Sequence, residues 1–374
     1  MISEKCFDRD YLETQQALFE RGDLNLLDKC IHALALLCNL TQTGMPFLFK
    51  GGSSLLIHLP VIKRLSIDID IISPVDDAAL EAAVNQLSAM PPFVRHEEDE
   101  RGVRGLPARR LFKFFYPSAA TGNQEYVLLD VVLEKNCTLA SVEKPVSCEF
   151  LEMEQVVSVQ TPTIDALLGD KLTAFAPHTI GVLFQTDKGL SRTMQVVKQL
   201  YDIGELFNEI NDIAAVKVAY EGSFQLENGY HDGRYSMNEA LKDTKHVALQ
   251  ICLDGVRGGN PDAQITGQMK DGVARLRDHL IRDRLRWNID VKVMAAKAYL
   301  LATYVGGKLE LTPERLRYSP ANEILDFIRS YNLPHLNSLK QTVPEAFYYL
   351  ALAASASSFS ANSTCSDANG SSRV

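Results

Sequence analysis

The sequence predicts an α/β (α+β) domain built on a mixed sheet, followed by a mostly α-helical C-terminal domain. Three observations predict it. Short apolar runs, one of them strictly alternating, crowd the first 160 residues; from Thr163 the strand signals largely stop and helical spacing takes over; and 374 residues suffice for two or more buried cores. The expected division is 1–160 for the α/β domain, 161–354 for the helical domain and 355–374 for a disordered tail holding eight serines.

In chain order, Leu24, Leu27, Ile31, Leu34 and Cys38 recur at three- and four-residue steps and predict an amphipathic helix over 23–40. A short apolar strand, 46–49, runs into Gly51-Gly52-Ser53-Ser54, a turn that opens a helix which Ser53 or Ser54 can cap. Residues 65–72 alternate strictly and read as a central strand. A helix over 77–90 and strands near 109–116 and 125–133 complete the first domain. Helices over 163–176, 192–207, 237–256 and 290–305 make up the second.

Composition is that of an ordinary globular chain, with 46% apolar and 23% charged residues. A formal charge of −9 means that a polyanionic partner must be met by a local basic patch against an unfavourable global field. Met1 to Asp10 mixes charges of both signs and lacks the apolar core of a secretory signal. Two uncharged stretches, 30–49 and 346–366, are too interrupted to span a bilayer, so we expect no membrane association and a cytoplasmic location. Seven cysteines with no CxxC pair predict reduced, mostly buried thiols.

The anomaly lies in Leu65-Ser66-Ile67-Asp68-Ile69-Asp70-Ile71-Ile72, where alternation puts Asp68 and Asp70 on one strand face, about 7 Å apart. Like charges in a partly buried setting destabilise the fold unless a cation compensates. A second apolar strand, Tyr126 to Leu133, carries Asp130 in its middle, so three acids can converge. Hard oxygen donors on a rigid sheet suit Mg²⁺ or Mn²⁺. The competing readings are a solvated edge strand for Asp68 and Asp70 and, for Asp130 alone, an aspartate that faces water or bonds a loop.

Lys50, Gly51, Gly52, Ser53 and Ser54 between strand and helix would expose backbone N–H groups to a phosphate, although a plain loop explains the same residues. Asp68 follows Gly52 by 16 residues, enough for one short helix and a return strand. Together, Phe49-Lys50-Gly51-Gly52-Ser53-Ser54-Leu55 and Leu65-Ser66-Ile67-Asp68-Ile69-Asp70 resemble the AbiEii/AbiGii-type nucleotidyltransferase toxins, within the DNA polymerase β-like superfamily. Gly169-Asp170-Lys171-Leu172-Thr173-Ala174 is similar to that family's helical lysine motif and Leu200-Tyr201-Asp202-Ile203 to its aspartate motif. Where the family carries an arginine and an acid before the latter, Lys198 and Gln199 stand here.

The resemblance, over about residues 45–206, implies that Gly52 and Ser53 bind a triphosphate, Asp68, Asp70 and Asp130 the metals, Lys171 the nucleotide phosphates, and that Asp202 completes a site in the cleft between the domains. It further implies transfer of a nucleotide from an NTP to RNA such as a tRNA 3′ end, in a toxin neutralised by a cognate antitoxin. Without the resemblance, Lys171 equally reads as snorkelling from a core edge, and Asp202 as pairing with Lys198. Transfer to a small molecule or a protein hydroxyl, and nucleotide binding without turnover, are the alternatives.

Two arginine-rich runs remain. Residues 101–113 hold five basic groups and read as a salt-laced loop; 275–287 reads as a helix with five arginines able to grip an RNA backbone, or as a solvated helix face, with Trp287 more core than stacking platform. His58 and His178 read as packing or loop histidines, and no HExxH, GxSxG or P-loop supports a hydrolase.

Overall fold

The computed structural model describes residues 1–99, 108–282, 284–307, 309–320 and 333–362. It divides into two compact units, one comprising Met1–Leu167 and Leu276–Arg284, the other Leu168–Arg275 and Leu285–Val374. The boundary thus falls inside a helix rather than at residue 160. The last strand before it pairs with its predecessor and keeps the chain in the first unit as far as Leu167.

The first unit runs α1 (Arg9–Gln16), α2 (Leu24–Gln42), β1 (Leu48–Lys50), α3 (Leu55–His58), β2 (Asp68–Ser73), α4 (Asp77–Ser88), β3 (Arg95–Glu98), β4 (Ala108–Pro117), β5 (Gln124–Leu133), β6 (Ser141–Pro145) and β7 (Ser158–Pro162). Five strands form a mixed sheet ordered β1-β2-β5-β4-β3, with β2 and β5 parallel and the other pairs antiparallel. β6 and β7 form a separate antiparallel pair. Asp23 caps α2 by accepting from Leu26 N at 3.0 Å, and α2 packs on β2 and β5. Beneath it lie Phe49, Ile69, Ile71, Phe112, Leu129 and Val131, all buried. Alternation then forces the intervening residues of β2 and β5 onto the opposite face.

The second unit holds α5 (Ile164–Ala174, whose first turn lies in the first unit), α6 (Thr193–Phe207), α7 (Ile213–Tyr230), α8 (Met237–Leu253), α9 (Ala263–Leu276), α10 (Lys292–Val305), α11 (Pro313–Leu316), α12 (Leu339–Thr342) and α13 (Pro344–Asn362). α10 is buried on nearly every side and packs against α6, α7, α8 and α13. Its four alanines let these neighbours approach closely.

Three expectations are corrected. The run 275–287 is not one helix: α9 stops at Leu276, and the chain returns to the first unit, where His279 O accepts from Leu65 N (2.8 Å) and Ile281 N donates to Lys63 O (3.0 Å). Consecutive burial of Leu280 and Ile281 suits that extended segment better than a helix face. The predicted loop at 101–113 is strand from Ala108, Arg101 and Arg104 lying outside the described residues. The serine-rich end is helical as far as Asn362, and only 363–374 lie outside the described residues.

Cys6, Cys30, Cys38 and Cys252 are buried free thiols, Cys137 and Cys148 are half-buried, and Cys365 is outside the described residues. Burial pushes Cys30, Cys38 and Cys252 up to about 12, so they stay protonated. No described helix is long and apolar enough to cross a membrane.

His58 is a buried packing histidine, its Nε2 3.1 Å from Thr161 Oγ1, and desolvation pushes it down to about 4. His178 has a different task. Its Nδ1 lies 2.7 Å from Asp243 Oδ1, while its backbone N and the Thr179 hydroxyl donate to Asp243 Oδ2, tying the segment after α5 to α8. The hydrogen bond to Asp243 raises the imidazolium above its ordinary value, against partial burial. The tie is therefore complete below about pH 6.5, the unfolded value, and weakens as pH rises through the higher folded value. Melting temperatures across this range should fall more steeply with pH for the native chain than for His178→Asn; superimposable profiles would show that the tie contributes nothing.

Candidate active site

β2 is an interior strand, flanked by β1 and β5, so its aspartates do not sit on a solvated edge. In register, Lys50 of β1 faces Asp70 of β2, and Asp70 faces Asp130 of β5. These three form one row across the sheet, on the face opposite α2, and Asp68 stands two residues earlier on the same face. Asp68 and Asp70 are half-buried and Asp130 is buried. The structure thus brings the three predicted carboxylates onto one face, with Asp70 and Asp130 as direct cross-strand neighbours.

The turn after β1 closes over this row. Gly51 has φ +78°, and a Cβ there would lie 2.0 Å from Asp70 Oδ2, so glycine both permits the backbone conformation and leaves the space that the carboxylate occupies. A Cβ on Gly52 would meet the Arg64 guanidinium at 2.9 Å and Ser66 Oγ at 3.0 Å. The serines do not cap α3. Ser53 Oγ donates to Asp68 O, Ser54 Oγ donates to Gly51 O at 2.8 Å, and both side chains are buried. They bind the turn to β2 and to itself. α3 is a single turn, too short to add a substantial helix dipole to the backbone N–H groups of the turn.

Sequence reasoning missed two residues here. Arg64, buried just before β2, places its guanidinium against Gly52 and donates from Nη1 to Leu65 O at 3.2 Å. Arg109 of β4 faces Val132 and so lies diagonal to Asp130 on the carboxylate face. Its Nε donates to Asp130 Oδ1 at 2.6 Å and its Nη2 to Asp130 Oδ2. The signal for Arg109 was its place in a strand of matching parity, readable only once the β4–β5 register is known.

Lys171 and Asp202 meet in the second unit, where α5 and α6 hold them 3.1 Å apart and both nearly fully buried. Asp202 is therefore not simply the partner of Lys198. Removing Asp202 would take from the buried Lys171 ammonium its carboxylate partner, which is strongly destabilising.

Among the described residues no three His, Cys, Asp or Glu side chains are gathered into a metal cage. The donor set nevertheless fits a hard divalent cation: carboxylate oxygens on adjacent strands, with Gly51 leaving room for one of them. The Asp130 oxygens are engaged by Arg109.

Gly51→Ala should lower unfolding free energy by about 1–3 kcal/mol, combining backbone strain with displacement of the Asp70 carboxylate. Gly44 has φ +71° with nothing within 4 Å of its Cβ position, so Gly44→Ala isolates the strain alone. Urea denaturation of the two variants should show the larger loss at Gly51; equal losses would mean that the approach of Asp70 imposes no constraint.

Among curated proteins, none matches this chain. Solved structures similar to it include JHP933 from Helicobacter pylori, at 11% identity and TM-score 0.40, covering 75% of this chain and 92% of that one. A second is an antigenic nucleotidyltransferase-like protein from Paracoccidioides brasiliensis, at 14% identity and TM-score 0.33, covering 60% and 94%. A family model described as "Nucleotidyl transferase AbiEii toxin, Type IV TA system" matches residues 35–288, which include the glycine turn, all three sheet carboxylates and the Lys171–Asp202 pair. The chain belongs to the AbiEii family of nucleotidyltransferase toxins of type IV toxin–antitoxin systems.

Proposed function

We propose that the protein transfers a nucleoside monophosphate from an NTP to a hydroxyl of RNA, with a tRNA 3′ end as the acceptor that the family resemblance suggests, and that a cognate antitoxin opposes this activity in the cytoplasm. The observation that carries the proposal is the Asp70–Asp130 cross-strand pair, with Asp68 on the same face, beneath the Gly51 turn. In the reaction the acceptor oxygen attacks the α-phosphorus, the bond from that phosphorus to the bridging oxygen breaks, and pyrophosphate leaves as the hydroxyl proton is lost.

Asp68, Asp70 and Asp130 would hold Mg²⁺ or Mn²⁺, which when bound neutralises phosphate charge and makes a hydroxyl more acidic. The protein's own contribution is placement. The backbone of Gly51 to Ser54, with Lys50, would bind phosphate oxygens, while the buried Ser53 and Ser54 hydroxyls hold that backbone in shape. Lys171 would meet the nucleotide phosphates, and its 3.1 Å contact supports Asp202 as the group that holds the ammonium.

A small-molecule or protein hydroxyl is the second reading. It is favoured by the arginine runs, where Arg110, Arg275, Arg282 and Arg286 are each engaged in ion pairs within the chain. Incubation with each α-labelled NTP, Mg²⁺, total tRNA and cell extract separates the two, because the label moves to RNA in the first and to metabolite or protein in the second.

Asp68→Asn and Asp70→Asn should each lower transfer by at least about a hundredfold, with the far-UV circular dichroism of the folded chain retained. Full activity in either variant would remove these carboxylates from the mechanism.

A further inference from the structure

We propose that Arg109 is the internal counter-cation of the carboxylate face: it holds Asp130 in the ligand-free protein and is displaced when a divalent cation takes that carboxylate. The inference rests on the reading of Asp68, Asp70 and Asp130 as cation ligands and adds a residue that competes for one of them.

Asp70 and Asp130 are direct neighbours on parallel strands, and two acids so placed repel unless a positive charge lies close by. Arg109 supplies it from the adjacent strand, on the same face, through a two-pronged contact that engages both Asp130 oxygens. Those oxygens are the atoms that a hard cation needs, so guanidinium and cation compete for one carboxylate. Exposure identifies the partner that moves. The Arg109 side chain is 44% exposed and that of Asp130 only 11%, so the guanidinium can leave into water while the carboxylate stays in the sheet.

Its neighbour shows the contrast. Arg110 faces Val131 on the helix-covered side and is enclosed by Asp77, Glu81 and Glu98, with 18% of its side chain exposed. Two successive arginines on one strand thus differ in kind: Arg110 joins the sheet to α4, and Arg109 rests on a group that another cation can claim.

Mn²⁺ titration of the full chain by calorimetry, without nucleotide, tests the displacement. Arg109→Ala should bind Mn²⁺ about three- to tenfold more tightly than the native chain. Its melting temperature without metal should be lower and should recover at saturating Mn²⁺. Arg109→Lys, which keeps the charge and loses the fork, should fall between the two and carries the comparison if the alanine variant does not fold. Unchanged or weaker Mn²⁺ binding on removal of Arg109, together with lost binding in Asp130→Asn, overturns the displacement and leaves the cation site standing. Absence of saturable binding in every form, or native binding by Asp130→Asn, overturns the cation site and the proposal with it.

Discussion

Two carboxylates on adjacent interior strands are the constraint around which the first unit is built. A sheet interior is a poor place for like charges, and each nearby feature answers to them. The isoleucines that alternate with the acids of β2 lie under α2, where a fully buried side chain of that size contributes about 1.5–3 kcal/mol and fixes which way Asp68 and Asp70 must face. A register slip of one residue would exchange the two sets, so the hydrophobic face specifies the polar one. Gly51 gives up its side chain to the Asp70 oxygen, and Lys50 and Arg109 place positive charge on the same face.

Charge in this acidic chain is thus settled locally. Arg110, Arg282, Lys113 and Lys171 each meet an acid of their own unit, and Arg275 and Arg286 pair with aspartates four residues away. Sequence counting treats such runs as candidate polyanion surfaces, because it sees cations without their partners. In the folded chain Arg282 bonds both Glu149 and the Ile62 carbonyl, and Trp287 donates from Nε1 to Asp254 rather than offering a platform for bases.

Much of the sheet and the three carboxylates were readable because alternation and burial are local patterns. The same logic found α2, α4, α5, α6, α8 and α10 from their spacing, with ends displaced by a few residues. It missed β3 and β6, whose mostly exposed residues carry no apolar rhythm, and β7, where Val159 is the one large apolar side chain among Ser158, Gln160, Thr161 and Pro162. It also missed α7, although Asp212 accepts from Ala214 N at that helix's start and marks it. Arg109 and Arg64 escaped for another reason: their place depends on strand register and on a segment distant in sequence. The Ser53 and Ser54 hydroxyls were read as caps because a serine before an apolar turn commonly is one; here closer acceptors in β2 and the turn itself outcompete the one-turn helix.

The return of Leu276–Arg284 to the first unit bears on when that unit is finished. Arg282 Nε reaches the Ile62 carbonyl across 220 residues of chain, and Ile281 N reaches Lys63 O beside it. At a synthesis rate of 5–20 residues per second, roughly ten to forty seconds separate the emergence of the two ends of that joint. The stretch carrying Arg64 toward Gly52 lacks its outer neighbour for this whole interval, while the helical unit is already being made. The joint beside the Arg64 stretch thus closes only after three-quarters of the chain has left the ribosome.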